Sequence, residues 1–407
     1  MRLNIIVVGG GAAGYFAAIR AASTAPSAEV ILLEGTRRPL AKVRISGGAR
    51  CNVTHNCFDA HELTQSYPRG GKELLGSFSR FQPRDTVRWF QERGVELKAE
   101  ADGRMFPVTD SSETIINCLE QALEASGAAL RLGGIVRSIA KTPDGFALTL
   151  QTGEVLPCDR LLLATGGAPQ GYELARSLGH QIEALVPSLF TFNVVDRRLD
   201  GLAGVAFTRA GLSLVCDGDT ETFHRENPLL ITHWGLSGPG VLKLSAFAAR
   251  ALHASGYQAT VKVAFLPGTK TDDVAATLTT FKSSHPKKGV AGNVPVDVPR
   301  RFWERLVHLA AVPAAGVWAD LPKKTIQHLA NELTQGVYRV TGKGVFKDEF
   351  VTAGGVARRE VDFRTMASRL VPGLFFAGEI LDVDGITGGF NFQNAWTSGW
   401  IAGSSIV

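Results

Sequence analysis

The chain has 407 residues, 45% of them hydrophobic, and a formal net charge of +5. That length exceeds one ordinary core and predicts two or three domains, while the apolar content excludes wholesale disorder. The mildly basic balance suits an anionic ligand, but the basic pairs Arg37-Arg38, Lys287-Lys288, Arg300-Arg301 and Lys323-Lys324 are dispersed, so no nucleic-acid partner is expected.

From the N-terminus, Ile5-Ile6-Val7-Val8 reads as a buried strand, Gly9-Gly10-Gly11-Ala12-Ala13-Gly14 as a tight turn, and Tyr15 to Arg20 as the start of a helix. Gly9, Gly11 and Gly14 fill the three places of G-x-G-x-x-G. The first permits the turn, the second lets a pyrophosphate approach the backbone, and the third lets the helix pack on the strand. The helix start offers unpaired N–H groups and a partial positive charge. A second strand, Glu29 to Leu33, ends in Glu34, twenty positions beyond Gly14, where a carboxylate accepts hydrogen bonds from ribose hydroxyls and disfavours a 2′-phosphate. Together these predict a dinucleotide site. The glycines also interrupt any signal-peptide core, and no apolar run reaches the ~18 residues that cross a bilayer. A soluble, cytoplasmic protein without a membrane partner is expected. Cys51, Cys57, Cys118, Cys158 and Cys216 form no C-x-x-C, which argues against a disulfide framework or zinc site and fits a reducing compartment.

Lys42 to His55 then packs cations, small residues and amide donors into one loop. Residues 84–93 predict a helix stopping at Gly94, and 111–126 a second, with Ser111 or Ser112 at its N-cap and Gly127 beyond it. Ala129 to Ile139 and Phe146 to Leu150 alternate like antiparallel strands around a Pro143-Asp144-Gly145 turn. Arg160 to Leu163 is a buried parallel strand running into Ala164-Thr165-Gly166-Gly167. From Leu189 the texture becomes β-rich, and residues 272–282, 299–311 and 322–334 predict helices separated by an exposed loop from Ser283 to Pro299. Near the end, Leu374-Phe375-Phe376 returns to buried strand, Gly378-Glu379 closes it, and Asp382 to Gln393 leads into a helix from Asn394 to Ala402. Gly-Gly pairs at 47–48, 166–167, 354–355 and 388–389 mark close approaches of backbone to ligand or to neighbouring backbone.

One glycine fingerprint accompanied by two further candidate ligand segments, 42–55 and 378–393, suits FAD. A carboxylate at Glu379 can hold ribityl hydroxyls, and a helix start after Gly389 can aim N–H groups at flavin N1 and O2, where negative charge develops on reduction. Asp382 and Asp384 are better read as loop or cap residues than as an acid–base pair, and Trp396 and Trp400 as core residues one helical turn apart.

The Lys42–His55 segment, Thr232-His233-Trp234-Gly235-Leu236-Ser237-Gly238-Pro239 and the terminal G-E-x-x-D-x-D-G-x-x-G-G-F-N-x-Q pattern from Gly378 resemble the aminoacetone-oxidase-like and bile-acid-reductase-like family of NAD(P)/FAD-dependent oxidoreductases. The resemblance covers essentially the whole chain; Ala49 and His55 depart from residues common there. It implies an α/β fold: a doubly wound Rossmann-type FAD-binding domain in two chain segments, 1–188 and 351–407. Between them it implies an inserted domain, 189–350, β-barrel-like over 189–268 and about 336–350, with a helical subdomain over about 269–335.

By that resemblance Gly9, Gly11, Ala12, Ala13 and Gly14 hold the pyrophosphate and Glu34 the adenosine ribose. Lys42, Gly48, Arg50, Cys51 and Asn52 line the cofactor. Val136 meets adenine through its backbone, and Ala164, Thr165 and Gly166 pack near the dinucleotide. Gly378, Glu379, Gly389, Asn391, Phe392 and Gln393 close on ribityl and flavin. The expected function is hydride transfer between FAD and an unidentified small molecule, as an amine oxidase or a C=C or C=N reductase, with NADH or NADPH as a transient co-substrate. An FAD-dependent tRNA-modifying enzyme and a flavin-loaded regulatory protein are the alternatives. Cys51, equally a small packing residue, and His233, equally a structural turn residue, are the catalytic side-chain candidates. No metal site is expected, and the oligomeric state is left open.

Overall fold

In the computed structural model, which describes residues 2–344 and 351–407, the chain opens on strand β1 (Asn4–Val8), whose Ile5, Ile6 and Val7 have no exposed surface. Helix α1 (Ala12–Thr24) follows, then β2 (Glu29–Glu34) and a helical segment α2 (Ala41–Ala49). Strands β3 (Ala129–Leu132), β4 (Arg160–Leu163) and β5 (Leu374–Phe376) complete a parallel sheet in the order β5-β4-β1-β2-β3, with two short antiparallel strands, Val361–Asp362 and Ala367–Ser368, beyond β5. Strands buried on both faces need near-continuous apolar sequence, which is what β1 and β4 supply. The final helix, α3 (Phe390–Ser405), lies on α1.

Helix α1 is apolar on nearly every side, because it is covered by the sheet and by α3. Gly399 and Gly403 bring α3 in at backbone distance. A Cβ at Gly399 would lie 2.6 Å from the Ala13 carbonyl oxygen, and one at Gly403 2.5 Å from that of Ala17. Phe16 and Trp396 fill the adjoining space, ring centres 4.8 Å apart, and the Trp396 indole donates to the Val53 carbonyl at 2.9 Å.

The chain divides into two compact units, Met1–Leu185 with Val351–Val407, and Val186–Phe350. The second unit is built on an antiparallel seven-stranded sheet. Its closing segment, Gly336–Lys343, pairs through Gly336–Val340 with Ala259–Ala264 and through Gly342–Lys343 with Phe192–Asn193, the two edges of the sheet. Thr341, between the two pairings, donates to the Asn193 carbonyl at 3.0 Å. The sheet thus closes on itself as a barrel does, leaving no free edge there. Helices Thr271–Ser284, Arg300–Leu309 and Lys323–Gln335 stand where the sequence predicts them, over a core that includes Trp303 and Trp318.

Four local expectations change. The run from Ala129 to Ile139 is two strands, not one: Gly133 takes a left-handed φ of 71°, and Gly134 donates to the Glu34 carbonyl at 3.0 Å. The chain therefore bends around the end of β2, so β3 joins the parallel sheet and only Val136–Lys141 pairs antiparallel with Phe146–Leu150. The Lys42–His55 segment is helical as far as Ile45; Ser46, Gly47 and Gly48 break the helix, and Ala49 and Cys51 also take left-handed φ. The last helix starts at Phe390, four residues before the predicted Asn394. The 283–299 loop is anchored at its centre, where Val290 is fully buried and its carbonyl accepts from the Trp303 indole at 2.9 Å. Residues 345–350 of the predicted β-rich part lie outside the described residues.

Because both α3 glycines meet carbonyl oxygens rather than flexible side chains, Gly399→Val forces the helices apart. The expected cost is about 1–3 kcal/mol, read as a lower urea midpoint in far-UV circular dichroism.

Candidate functional site

The glycine turn separates what the fold requires from what it leaves open. Gly9 has φ 114°, and a Cβ there would lie 2.4 Å from the Ala164 carbonyl oxygen. A Cβ at Gly14 would lie 1.9 Å from the Gly9 carbonyl oxygen. Both positions are closed by the protein's own backbone. Gly11 differs: its φ is −90°, and no protein atom lies within 4 Å of a Cβ built there. A Cβ at Gly11 meets nothing of the chain, so that side of the backbone is open to a ligand. Gly11 is also the N-cap of α1, with no side-chain cap and no acid in the first turn. Its exposed N–H groups suit a diphosphate. Beside it the Glu34 carboxylate accepts from the Gly10 and Thr36 N–H groups, each at 2.7 Å. These two bonds fix the carboxylate and leave lone pairs for ribose hydroxyls.

The C-terminal segment meets this turn directly. Gly378 follows β5 and donates to the Ser398 hydroxyl at 2.8 Å, and a Cβ on it would lie 2.8 Å from that of Ala13. Glu379 pairs with the exposed Lys42 at 2.5 Å, accepts from the Thr352 N–H at 3.3 Å, and is the nearest group to a Cβ at Gly166, at 3.7 Å. Lys42, Gly166 and Glu379 are thus brought together from three distant parts of the chain. Gly48, with no protein atom near its missing Cβ, presents a second open backbone surface. The Thr165 hydroxyl is buried without a partner among the described residues.

Helix α3 supplies the second uncapped N-terminus. Its N-cap Gly389 has φ 93°, and a Cβ there would lie 2.5 Å from the Thr54 carbonyl oxygen. With the Asn52 amide turned so that its nitrogen donates to the Thr54 carbonyl at 3.0 Å, its oxygen accepts from the Gly389 N–H at 2.9 Å. No acid stands in the first turn. The segment before the helix is held by a buried Arg69–Asp384 ion pair, and Asp382 lies 3.5 Å from Arg358.

Several residues expected to touch a cofactor, or named beside it, also have protein partners. Gln393 is buried, its oxygen accepting from the hydroxyls of Thr54 at 2.6 Å and Thr86 at 2.9 Å, its nitrogen donating to Thr397 at 3.0 Å. Asn391 closes both ways on Gly385, at 2.8 Å each. Phe392 packs on Trp396. The Val136 carbonyl accepts from the Gln170 amide. Arg50 pairs with Glu100 at 2.6 Å with its guanidinium 4.0 Å over the Phe106 ring, and Arg44 pairs with Glu113. Cys51 is fully buried, and burial pushes its thiol up to about 12, away from the thiolate a nucleophile needs. His233 is exposed in the two-residue turn between Thr232 and Gly235. Thr54, Thr86, Ser398 and the Arg69–Asp384 pair had no local signal, since each acquires its role only from a partner far along the chain.

The geometry fits an elongated anionic dinucleotide: two open glycine backbones, two uncapped helix starts and a fixed carboxylate, all within the first unit. A model of the HI0933-like protein Rossmann domain matches residues 3–405. The chain belongs to this family of FAD-binding oxidoreductases. It is 31% identical over 417 residues to the ribosomal RNA dihydrouridine synthase of Escherichia coli (strain K12), covering 100% of this chain and 98% of that protein. It is 29% identical over 408 residues to the 3-dehydro-bile acid delta(4,6)-reductase of Clostridium scindens, covering 98% of each. Among solved structures, a flavocytochrome c3 fumarate reductase shares the fold with a TM-score of 0.51 and 18% identity, covering 100% of this chain and 78% of that one. No described helix is long and apolar enough to cross a membrane.

Two outcomes test the site. Gly11→Ser leaves unfolding within about 0.5 kcal/mol of the parent, since serine caps a helix at least as well as glycine and its Cβ meets no neighbour. The same change weakens FAD binding by at least about tenfold, or ~1.4 kcal/mol, in a flavin fluorescence titration. In native protein at neutral to mildly alkaline pH, Cys51 and Cys158, both pushed up to about 12, resist iodoacetamide and react once the chain is unfolded in urea; peptide mass spectrometry reads the difference.

Proposed function

We propose that this protein uses FAD to reduce a carbon–carbon double bond conjugated to a carbonyl. The observation that carries the reading is chemical. The two relatives above, aligned over nearly their full lengths, are named for saturating such a bond, in a uracil base and in an oxidised steroid. Bound FAD, once reduced by NADH or NADPH, would supply the hydride that adds to the β-carbon, and a proton from solvent would complete the α-carbon. The residues of this chain then have positioning roles. The α1 start at Gly11 to Ala13 holds the diphosphate, Glu34 the adenosine ribose, and Lys42 with Glu379 the middle of the cofactor. The α3 start after Gly389 would serve the pyrimidine part of the flavin, where a helix N-terminus favours the charge of the reduced ring. Residues 1–188 and 351–407 are assigned to FAD and 189–350 to choice of substrate. Oxidation of an amine by the same site, with oxygen taking the electrons, is the competing direction.

A second reading, that the double bond belongs to a uridine in RNA, is favoured by the full-length relation to the dihydrouridine synthase and by the net charge of +5. It replaces the expectation of a partner set without nucleic acid as the point to test.

The experiment is anaerobic spectrophotometry of the yellow protein. Bleaching by NADH or NADPH is expected. Recovery of the oxidised spectrum on adding a 3-oxo-4,6-diene steroid or unmodified ribosomal RNA follows, with one saturated bond formed per flavin reoxidised, counted by mass spectrometry. Indifference to both nicotinamides, with peroxide formed from an amine in air, would overturn the reductase reading.

A further inference from the structure

At the far end of α1 from its glycine turn lies a surface cleft of about 300 Å³, between α1, the helix Pro83–Gln91 and the C-terminal half of α3. Arg20 stands eight residues beyond Ala12, which places the cleft about 12 Å along the helix axis from the dinucleotide turn. The lining joins four arginines, Arg20, Arg80, Arg88 and Arg93, to two tryptophans, Trp89 and Trp400. In the sequence these positions are scattered, and the fold alone assembles them.

Three of the four cations are ordered in advance. The Arg20 guanidinium lies 4.6 Å from the Trp400 ring centre and its Nε donates to the Ser404 hydroxyl at 2.8 Å. The Arg93 guanidinium lies 3.9 Å from the Trp89 ring centre and donates to the Trp89 carbonyl at 2.9 Å. Arg80 is held by the Arg364 carbonyl. Among the described residues, Arg20, Arg80 and Arg88 have no carboxylate within 4.0 Å. The cleft holds two acids. Asp85 is committed to the Gln82 N–H at 2.9 Å, capping its own helix, and Glu92 approaches only Arg93, at 4.0 Å. A guanidinium stacked on an indole has already lost rotamer freedom and keeps its outward N–H edge for an acceptor. Two such groups, Arg20 and Arg93, with Arg80 and Arg88 beside them and only Asp85 and Glu92 as acids in the lining, form an anion site. The indole faces are occupied by arginine on one side and by Phe16 or Phe81 on the other, so a base would stack on guanidinium rather than on tryptophan.

We infer that this cleft docks the phosphodiester backbone of single-stranded RNA. The inference rests on the second reading above, that a uridine in RNA is the acceptor. Distance is what a polymer solves: a small substrate reaches one site, whereas an RNA strand occupies both the cleft and the flavin at once. Contacts there add affinity without sequence information.

The test titrates a fluorescein-labelled oligouridylate with FAD-loaded protein and follows anisotropy over a range of salt. The parent is expected to bind with an affinity that falls as salt rises. R80A/R88A is expected to bind at least about tenfold more weakly, with the log–log salt slope reduced by about 0.7 for each phosphate no longer neutralised. R88E, at an exposed position, is expected to do the same, and thermal unfolding of both variants should match the parent. K287A/K288A, changing an exposed basic pair outside the cleft, should bind as the parent does. Parent-like affinity and slope in R80A/R88A and R88E would overturn the inference while leaving the uridine reading standing if ribosomal RNA still gains dihydrouridine. Absence of RNA binding by the parent, beside reduction of the steroid diene, would remove both. A loss confined to NADPH binding would overturn the inference by making a nicotinamide dinucleotide the occupant.

Discussion

The structure depends on the contact between its first and last helices. Ala13 and Ala17 of α1 present carbonyl oxygens to Gly399 and Gly403 of α3 at distances no side chain permits, and Gly378 packs on Ala13 just ahead of α3. Two helices at backbone separation gain dispersion energy along their whole interface, and small residues are what allow it. The same packing fixes the N-terminus of α1 and the N-terminus of α3 in one rigid arrangement. Each start carries about half a positive charge and several unpaired N–H groups. A dinucleotide bearing a diphosphate in the middle and a charge-accumulating ring at one end matches two such poles. Closing a loop of this length costs entropy only logarithmically, so a site made from the two ends of a long chain is not expensive to assemble.

A buried polar network keeps the second pole in place. The Gln393 oxygen receives two threonine hydroxyls and its nitrogen gives to a third, tying α3 to the Thr54 strand and to the helix that begins at Pro83. The Arg69–Asp384 pair does the same for the loop that enters α3. Buried groups of this kind add little net stability when fully partnered, yet are costly when one partner is removed, so they select one arrangement over its neighbours. Asn391 and Gln393 are therefore site residues in a different sense from the one the sequence suggests. They hold the backbone that would meet the flavin, and their side chains are already occupied.

The difference between what the sequence shows and what it hides is one of range. The first strand, turn and helix were legible because every determinant lies within ten neighbouring residues, and Glu34 because the spacing of the motif is local. The helices from 271 to 335 were legible from periodicity and from the prolines that start two of them. The Ala41–Ile45 helix was hidden by the glycines that end it, and the bend at Gly133 by the alternation on either side. Pairings such as Gln393 with Thr54, or Arg80 and Arg20 around Trp400, join positions hundreds of residues apart or on separate helices. No window of sequence contains them. The dispersed arginines read as solvated surface for that reason, and only folding places four of them around two indoles.

This division bears on where substrate choice resides. The glycines closed by backbone, Gly9, Gly14, Gly378, Gly399 and Gly403, answer to the protein itself and would be required whatever the acceptor. The open ones, Gly11 and Gly48, meet nothing of the protein and are the positions proposed for the cofactor. Neither group distinguishes a steroid from a nucleobase, since both offer the flavin the same electron-poor double bond. Discrimination must come from features the flavin does not need. Beside residues 189–350, already proposed for that choice, the arginine–tryptophan cleft of the first unit is a second such feature. Its ordered guanidiniums contribute nothing to holding FAD about 12 Å away, and an uncharged ligand small enough to sit on the flavin gains nothing from them. A cluster of like charges costs stability through mutual repulsion unless an anion answers it, so four arginines against Asp85 and Glu92 support the RNA reading proposed above.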